Sequence, residues 1–544
     1  MENQEKQIIS RKRVADHGEV LTARREVNAM LDLVKPETER IESRFLEPAC
    51  GTGNFLIAIL ERKLSVIKRK IVLLEKSLAK DEKRPGWKAR LYGPDSLLAL
   101  SSIYGIDILP DSIRTARARL LDYYLESYRR ITGKRPSCEL IVRVRFILRK
   151  NILQGDAIHT RDQVTIRGVS GLDQIIFTEW RRIGNGLSGR EFRFDSLSEK
   201  MKFDVIIGNP PYQLNVGNAG GNRSKAKSIY HLFMQSAMNL SPSYLVMITP
   251  SRWMTKTNEG IPKKWVDRML ASNQFRIIHD FEDSCECFPG VSIMGGVNYF
   301  LWEKGYNGPC HYVYHKGNRV FSRVSPLNKL NCGIVIRDSM ACGIIEKIAQ
   351  VEKGYYLDPE RNFSHLVSTK DFYTTKTALT SSWTEFETKQ TAQCPIKYYC
   401  NQANHKTPFG WIREDQIPKN RQTIRLHKLL IPAANGSRFL ILGKPFYAEP
   451  GSVCSQTYLV IGYDPEHPFT DKTQCVNVIS YIKTRFFRYL VSIKKKTQNG
   501  PRGVYQFVPM QDFSNPWTDE ELYRKYGLTA AEITFIDSHI RAMD

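Results

Sequence analysis

Between residues 44 and 304 the chain alternates short, almost wholly apolar runs with stretches whose apolar residues recur at helical spacing. A strand that is apolar on both faces needs cover on both, and helices placed between successive strands supply it. The pattern therefore specifies an α/β domain built on a mostly parallel sheet. Strands are expected at 45–47, 103–107, 203–207, 244–249, 275–281 and 297–302. Across 56–78, Leu56, Ile57, Leu60, Leu64, Ile67, Ile71 and Leu74 fall close to the helical period, which predicts a long amphipathic helix with a solvated basic face. Residues 157–200 are polar and weakly periodic and read as an insertion. Beyond residue 305 the runs become short, β-like and broken by Pro, Gly and Asn, at 309–315, 429–432, 439–442 and 457–461. Two domains are expected, α/β over 1–304 and α+β over 305–544.

Charge narrows the partners. Across 544 residues, 80 Lys and Arg stand against 56 Asp and Glu, a formal net charge of +24, and a field of that sign favours a polyanion. One stretch concentrates it: Lys483, Arg485 and Arg488 alternate with Phe486, Phe487 and Tyr489, and Lys494, Lys495 and Lys496 follow. Cations interleaved with rings suit phosphate contacts plus stacking, although rings at helical spacing also suit a core. Thr518, followed by Asp519, Glu520 and Glu521, reads as a helix start. The eleven cysteines are scattered, with one close pair, Cys285 and Cys287, and no second pair at zinc-binding spacing; they read as reduced thiols. Residues 1–13 lack the apolar stretch of a signal peptide, and no apolar run is long enough to span a bilayer, so a cytoplasmic chain with no membrane partner is expected.

Four segments carry chemistry. In the first, the strand ending at Glu47 passes through Pro48, Ala49 and Cys50 into Gly51, Thr52, Gly53, Asn54 and Phe55. The two glycines allow a tight turn and close approach of a ligand to bare backbone, and the helix start beyond offers unpaired amides. No Lys-Ser/Thr pair follows, so a phosphate-cradling nucleotidase loop is not supported. In the second, an apolar strand ends in Asp107, placed to accept ribose hydroxyls, with Ile108 next to it. In the third, Gly155, Asp156 and Ala157 form a turn whose acid could accept from an adenine amine.

The fourth is the most informative: the buried strand expected at 203–207 runs through Gly208 into Asn209, Pro210, Pro211 and Tyr212. Prolines stiffen the exit so that its carbonyls point in a fixed direction. An exocyclic aryl amine is a poor nucleophile because its lone pair is delocalised into the ring. The Asn209 side-chain oxygen and the Pro210 carbonyl can hold its two hydrogens and stabilise charge developing on nitrogen. Tyr212 supplies a face on which an extruded base can stack.

In this order, these segments resemble the gamma-class N6-adenine DNA methyltransferases, in which the cofactor motif precedes Asn-Pro-Pro-Tyr and the target-recognition domain comes last. The resemblance covers residues roughly 14–304. It implies a Rossmann-like S-adenosylmethionine-dependent methyltransferase domain with a mostly parallel seven-stranded sheet, followed by a C-terminal α+β target-recognition domain. It further implies S-adenosylmethionine binding at Thr22, Glu47, Ala49, Gly51, Gly53, Asn54, Phe55, Asp107, Ile108, Asp156, Ala157 and Asn209, although Ala23 stands where the family has proline after the threonine. Catalysis would fall to Asn209, Pro210, Pro211 and Tyr212. Phe288, in the segment 287–291, would help to hold the target adenine. Residues 230–233 and 244–250 resemble the helix and strand that follow the catalytic loop, and 483–498 and 517–537 resemble C-terminal parts of restriction-modification methylases.

The reaction implied is direct attack of adenine N6 on a sulfonium methyl in double-stranded DNA, with no metal and no nucleophilic cysteine; Cys50 reads as a small packing residue. A cognate restriction endonuclease is a possible partner. Three rivals bear on this. Methyltransferases that modify a glutamine amide in release factors share Asn-Pro-Pro-Tyr, but the large basic C-terminal region argues against a compact protein-modifying enzyme. A fused restriction endonuclease usually adds an N-terminal nuclease domain, and only about 45 residues precede the cofactor loop. An idle DNA-binding subunit would have no use for Asn209, Pro210 and Tyr212.

Overall fold

The computed structural model describes residues 20–79, 85–158, 175–184, 186–193, 201–215, 226–256, 260–400, 408–435, 440–495 and 498–543. Its first unit is organised by a nine-stranded sheet. In chain order the strands of this unit are β1 (Phe45–Glu47), β2 (Ile103–Asp107), β3 (Ile152–Gln154), β4 (Ile176–Ile183), β5 (Gly186–Arg193), β6 (Val205–Gly208), β7 (Gln213–Asn215), β8 (Ala226–Ser228), β9 (Tyr244–Pro250), β10 (Phe275–Phe281), β11 (Val297–Glu303), β12 (Cys310–Lys316) and β13 (Arg319–Ser325). The sheet runs β13-β12-β10-β11-β9-β6-β1-β2-β3, while β4 with β5 and β7 with β8 form separate hairpins. Pairings β1/β2, β1/β6, β2/β3, β6/β9 and β10/β12 are parallel; β11 and β13 run against their neighbours.

Residues that alternate along each strand sort into two cores, one per face. Phe45, Val205, Ile207, Val246 and Ile248 face a cluster that includes Val27, Leu56, Tyr92, Ile113 and Val144. These last come from α1 (Arg24–Asp32), α2 (Asn54–Ser77), α3 (Trp87–Ser101), α4 (Pro110–Thr132) and α5 (Cys138–Asn151). Leu46, Ile206, Leu245 and Met247 face the other way, toward a cluster that includes Phe233 and Met234 of α6 (Tyr230–Asn239) and Trp265 and Met269 of α7 (Lys263–Ala271). Continuous apolar strands are thus covered on both sides, as their composition demands. The long helix expected over 56–78 is α2, and its apolar positions at 56, 60, 64, 67 and 71 are buried.

Two expectations need correction. The resemblance implied seven strands, and nine are present: β12 and β13 extend the sheet beyond β10. For the same reason the first unit runs to Lys329 and includes 333–335, while the second comprises 330–332 and 336–544, so the expected division at 304/305 falls inside the sheet. Cys310, Tyr312 and Tyr314 of β12 are buried in the first unit's core, and the Tyr312 hydroxyl donates to the buried Asp280 carboxylate of β10. Within the expected insertion, the described part forms the β4–β5 hairpin, held by Phe177 packed edge-on to Tyr104 and Phe203 and by the Tyr104 hydroxyl donating to the Thr178 carbonyl at 2.8 Å.

At the β10–β12 edge, rings stack: His279 on Tyr299 at 4.9 Å and Phe281 on His315 at 4.2 Å. Burial, and then the neighbouring His315 and His311, push His279 down to about 4. Its folded value therefore lies below its unfolded value near 6.5, so the stability it contributes is present above about pH 6.5 and is lost as pH falls through about 4. Denaturant titrations at intervals across that window should show wild type losing stability to acid faster than His279→Phe, which keeps a ring on Tyr299; parallel pH dependences would refute the assignment.

In the second unit, β14 (Ile396–Tyr399) lies between β15 (Phe409–Ile412) and β18 (Ser452–Cys454), and β16 (Lys428–Pro432) lies between β17 (Phe446–Ala448) and β19 (Tyr458–Ile461). Helices α8 (Ser339–Val351), α9 (Lys472–Lys483), α10 (Arg485–Lys494), α11 (Asp519–Lys525) and α12 (Ala530–His539) accompany them. Thr518 starts α11 with a capping box, its side chain accepting from the Glu521 amide. Residues 440–442, expected within a strand, form a turn instead; Phe439 lies outside the described residues.

Candidate active site

Strand order reverses at β1, which has β2 on one side and β6 on the other, and at such a point the loops leaving the strands diverge and open a cleft. The cleft present here is lined by Val20, Leu21 and Thr22, by Glu47, Ala49, Cys50, Gly51, Asn54 and Phe55 after β1, by Asp107, Ile108 and Leu109 after β2, and by Asn209 and Pro211 after β6. Nine of the residues assigned by resemblance to the cofactor are therefore brought together. Gly53, Asp156 and Ala157 are not among the lining residues, although the Gly155 amide donates to the Asp107 carbonyl at 3.0 Å and sets that turn beside the cleft.

The loop after β1 turns through left-handed glycines, Gly51 at φ +49° and Gly53 at φ +86°. A Cβ at Gly53 would come within 3.2 Å of the Ala116 Cβ, so the turn also lets α2 pack against α4. The Asp107 carboxylate braces the loop, accepting from the Gly51 amide at 2.8 Å and the Leu109 amide at 2.9 Å. Glu47 is buried beside it. Burial, and then the Asp107 charge, hold its carboxyl well above the usual carboxylate range, with the Leu56 amide pulling the other way. Its Oε2 has no hydrogen-bond partner. The Cys50 thiol is buried between the same two acids and is pushed well up, which keeps it protonated.

Asn209 leaves β6 with its amide in a forced orientation. Nδ2 donates to the Val20 carbonyl at 3.0 Å, and a carbonyl can only accept, so the NH₂ must face it. Oδ1 is left buried with no partner. Pro210 is buried, and Tyr212 packs edge-on to Tyr230 at 6.3 Å. The Tyr212 hydroxyl is buried and unpartnered, and burial, with Cys287 and Tyr230 nearby, pushes it well above its ordinary value. The segment 287–288 therefore lies beside the loop that follows β6.

Phe288 itself has no exposed surface and belongs to the core cluster, so in this arrangement it offers no face to a base. The loop around it is stapled by Ser284, whose Oγ donates to the Val291 carbonyl and accepts from the Ile293 amide, each at 2.8 Å; the ring is carried inward.

The basic stretch in the second unit also needs correction. Arg488 is fully buried, and its guanidinium is spent on main-chain carbonyls of Lys483, Thr484, Leu440 and Arg541. Phe486, Phe487 and Tyr489 are core residues. Arg485 pairs with Asp537 at 3.1 Å, Lys494 donates to Gln506 at 2.5 Å, and Lys495 donates to the Asn435 carbonyl at 3.4 Å. Lys483 is half-buried, and Lys496 lies outside the described residues. Thr484 caps α10 and turns its apolar face, with Arg488, into the core.

What sequence reasoning missed is the part played by Val20, Leu21 and Leu109, and above all by the Val20 carbonyl. A main-chain oxygen carries no residue-type signal.

A nucleoside carrying a cationic sulfur would suit the donors and acceptors present: a braced acid at the end of β2, a buried carboxyl oxygen without a partner and an unpartnered amide oxygen. The cleft has about 80 Å³ free in this arrangement, below the roughly 300 Å³ at which small-molecule pockets begin.

Residues 101–288 match the family model of the Eco57I restriction-modification methylase. Over 108 residues the chain is 44% identical to an "Uncharacterized adenine-specific methylase" of Mycoplasma pneumoniae, an alignment covering 20% of this chain and 25% of that relative. The chain thus spans about a quarter of the length of the curated relative it matches. Solved structures similar to it include the Type IIL restriction-modification enzyme MmeI in complex with DNA, at a TM-score of 0.43 and 11% identity over 92% of this chain and 68% of that one. The DrdV–DNA complex matches at a TM-score of 0.44 and 10% identity over 97% and 58%.

Proposed function

We propose that this chain is a restriction-modification DNA methyltransferase that transfers a methyl group from S-adenosylmethionine to the N6 amine of an adenine extruded from double-stranded DNA. The observation that carries the reading is the amide of Asn209, a residue that lines the cleft: it is pinned through Nδ2, and its Oδ1 is buried without a partner. Asn209 Oδ1 and the Pro210 carbonyl would each accept one N6 hydrogen. Positive charge develops on nitrogen as it attacks, and two oxygens fixed in a dry site stabilise it without having to reorganise. The Tyr212 ring would take the extruded purine, whose unstacking, a few kcal/mol, is offset by the pocket and by phosphate contacts from the basic surface. When bound, S-adenosylmethionine supplies an electrophilic methyl on a sulfonium. Target choice would reside mainly in residues 336–544, and a cognate endonuclease would share the same DNA site.

The test is incubation with labelled S-adenosylmethionine and unmethylated duplex DNA, followed by nucleoside analysis. Label is expected in N6-methyladenine. Label in cytosine, or in a glutamine of added release factor and not in DNA, would overturn the proposal.

Glu47 makes cofactor binding pH-dependent. Its carboxyl sits well above the usual range in the free protein, and a cationic ligand favours the charged form, so binding expels a proton wherever pH lies between the bound and free values. Affinity for S-adenosylmethionine should rise with pH across that window, by at most about tenfold per unit for one proton. Titration calorimetry in buffers of different ionisation enthalpy reads the released proton directly. Glu47→Gln should bind more weakly and with a flat profile; an unchanged profile would exclude Glu47 as the source.

A further inference from the structure

We propose that Asn54 is a positioning residue for the catalytic amide, acting through the main chain of residues 20–22; the inference rests on the assignment of Asn209 to methyl transfer. Asn54 Nδ2 donates to the Thr22 carbonyl at 2.9 Å, and Asn54 Oδ1 accepts from Arg119 Nη1 at 2.9 Å. A guanidinium can only donate and a carbonyl can only accept, so both ends of the Asn54 amide are chemically fixed. Arg119 Nη1 also donates to the Thr52 carbonyl at 2.6 Å, which anchors this arrangement on the glycine turn.

Two residues before Thr22, the Val20 carbonyl takes the Asn209 Nδ2 hydrogen at 3.0 Å. The short segment therefore bridges the start of α2 and the catalytic loop, with one asparagine amide bonded at each end. Without the Val20 carbonyl in place, Asn209 could rotate its amide by half a turn and present NH₂ where an acceptor is needed. One hydrogen of an amine substrate would then meet a donor, leaving the Pro210 carbonyl as its sole acceptor. The Asn54 bond fixes this segment at Thr22, two residues from the carbonyl that orients Asn209.

The experiment uses the full chain and three variants: Asn54→Asp, which keeps the acceptor toward Arg119 but sets a carboxylate against the Thr22 carbonyl; Asn54→Ala; and Arg119→Gln at an exposed position. Single-turnover methylation at saturating S-adenosylmethionine and DNA, cofactor affinity, and hydrogen exchange of the peptide covering 20–24 are measured for each. Loss of one orienting hydrogen bond is expected to lower the single-turnover rate about tenfold in both Asn54 variants and two- to threefold in Arg119→Gln, with faster exchange of that peptide and a smaller change in affinity. A saturated rate equal to wild type, with only affinity reduced, would overturn the proposal and make Asn54 a cofactor contact alone. Unchanged exchange at 20–24 would overturn it as well. A wild-type chain that methylates no adenine would instead refute the Asn209 assignment, while the exchange measurement still reports whether Asn54 holds the segment.

Discussion

Asn209→Ala is expected to lower single-turnover methyl transfer by about 10²- to 10³-fold, the range seen when one preorganised polar contact to a charge-developing centre is removed. The size follows from the asymmetry of the side chain. Nδ2 makes one bond, to the Val20 carbonyl, and Oδ1 makes none, so little native interaction is lost and the melting temperature should barely move. Asn209→Asp is the sharper probe: it retains an acceptor toward the substrate but turns a second one toward Val20, and should fall between wild type and alanine. Cofactor affinity should change only a few-fold in either. An alanine variant working at near wild-type rate would remove the amide from the mechanism.

Arg488→Ala should be the most destabilising substitution in the basic stretch, at roughly 3 kcal/mol, because it opens a cavity and strands several buried carbonyls at once. In a unit of this size that corresponds to a fall of about 10 °C in the melting temperature of the second unit. The guanidinium is pushed down to about 10 by burial, as expected for a cation held by carbonyls in a core. If Arg488 bound a DNA phosphate, its removal would instead reduce the salt dependence of DNA affinity by about one unit of slope and leave folding intact. Thermal melts and salt titrations of the variant separate the two, and a normal melt with a reduced slope would restore the phosphate reading.

The bounds of β1, β2 and β10 were legible because strands buried on both faces must be apolar throughout and must stop where polar or turn residues begin. The cleft was legible for a related reason: glycines at 51 and 53, an acid at 107 and prolines after 209 are residue types that a tight turn, a strand end and a rigid exit each require. Direction was harder to read. Phe288 before Pro289 and Gly290 suits an exposed ring or an inward one equally, and Ser284, which decides the matter, gives no sign of it in the sequence. Arg488 was misread because alternation of cations and rings says nothing about which side of a helix meets the core; the Thr484 cap settles that. The strands β12 and β13 were assigned to the second domain because the runs beyond residue 305 are short and broken by Pro, Gly and Asn; residues 304–309 in fact connect β11 to β12, two strands of one sheet that flank β10.

That added pair of strands determines where the second unit can be exchanged between relatives. A hybrid joined at 304 would leave β10 as a bare edge, an invitation to pair with other chains, and would strip the buried Asp280 of its Tyr312 donor. A splice after Val335 carries the whole sheet across intact and lets the second unit be replaced without cutting through the strands of the first.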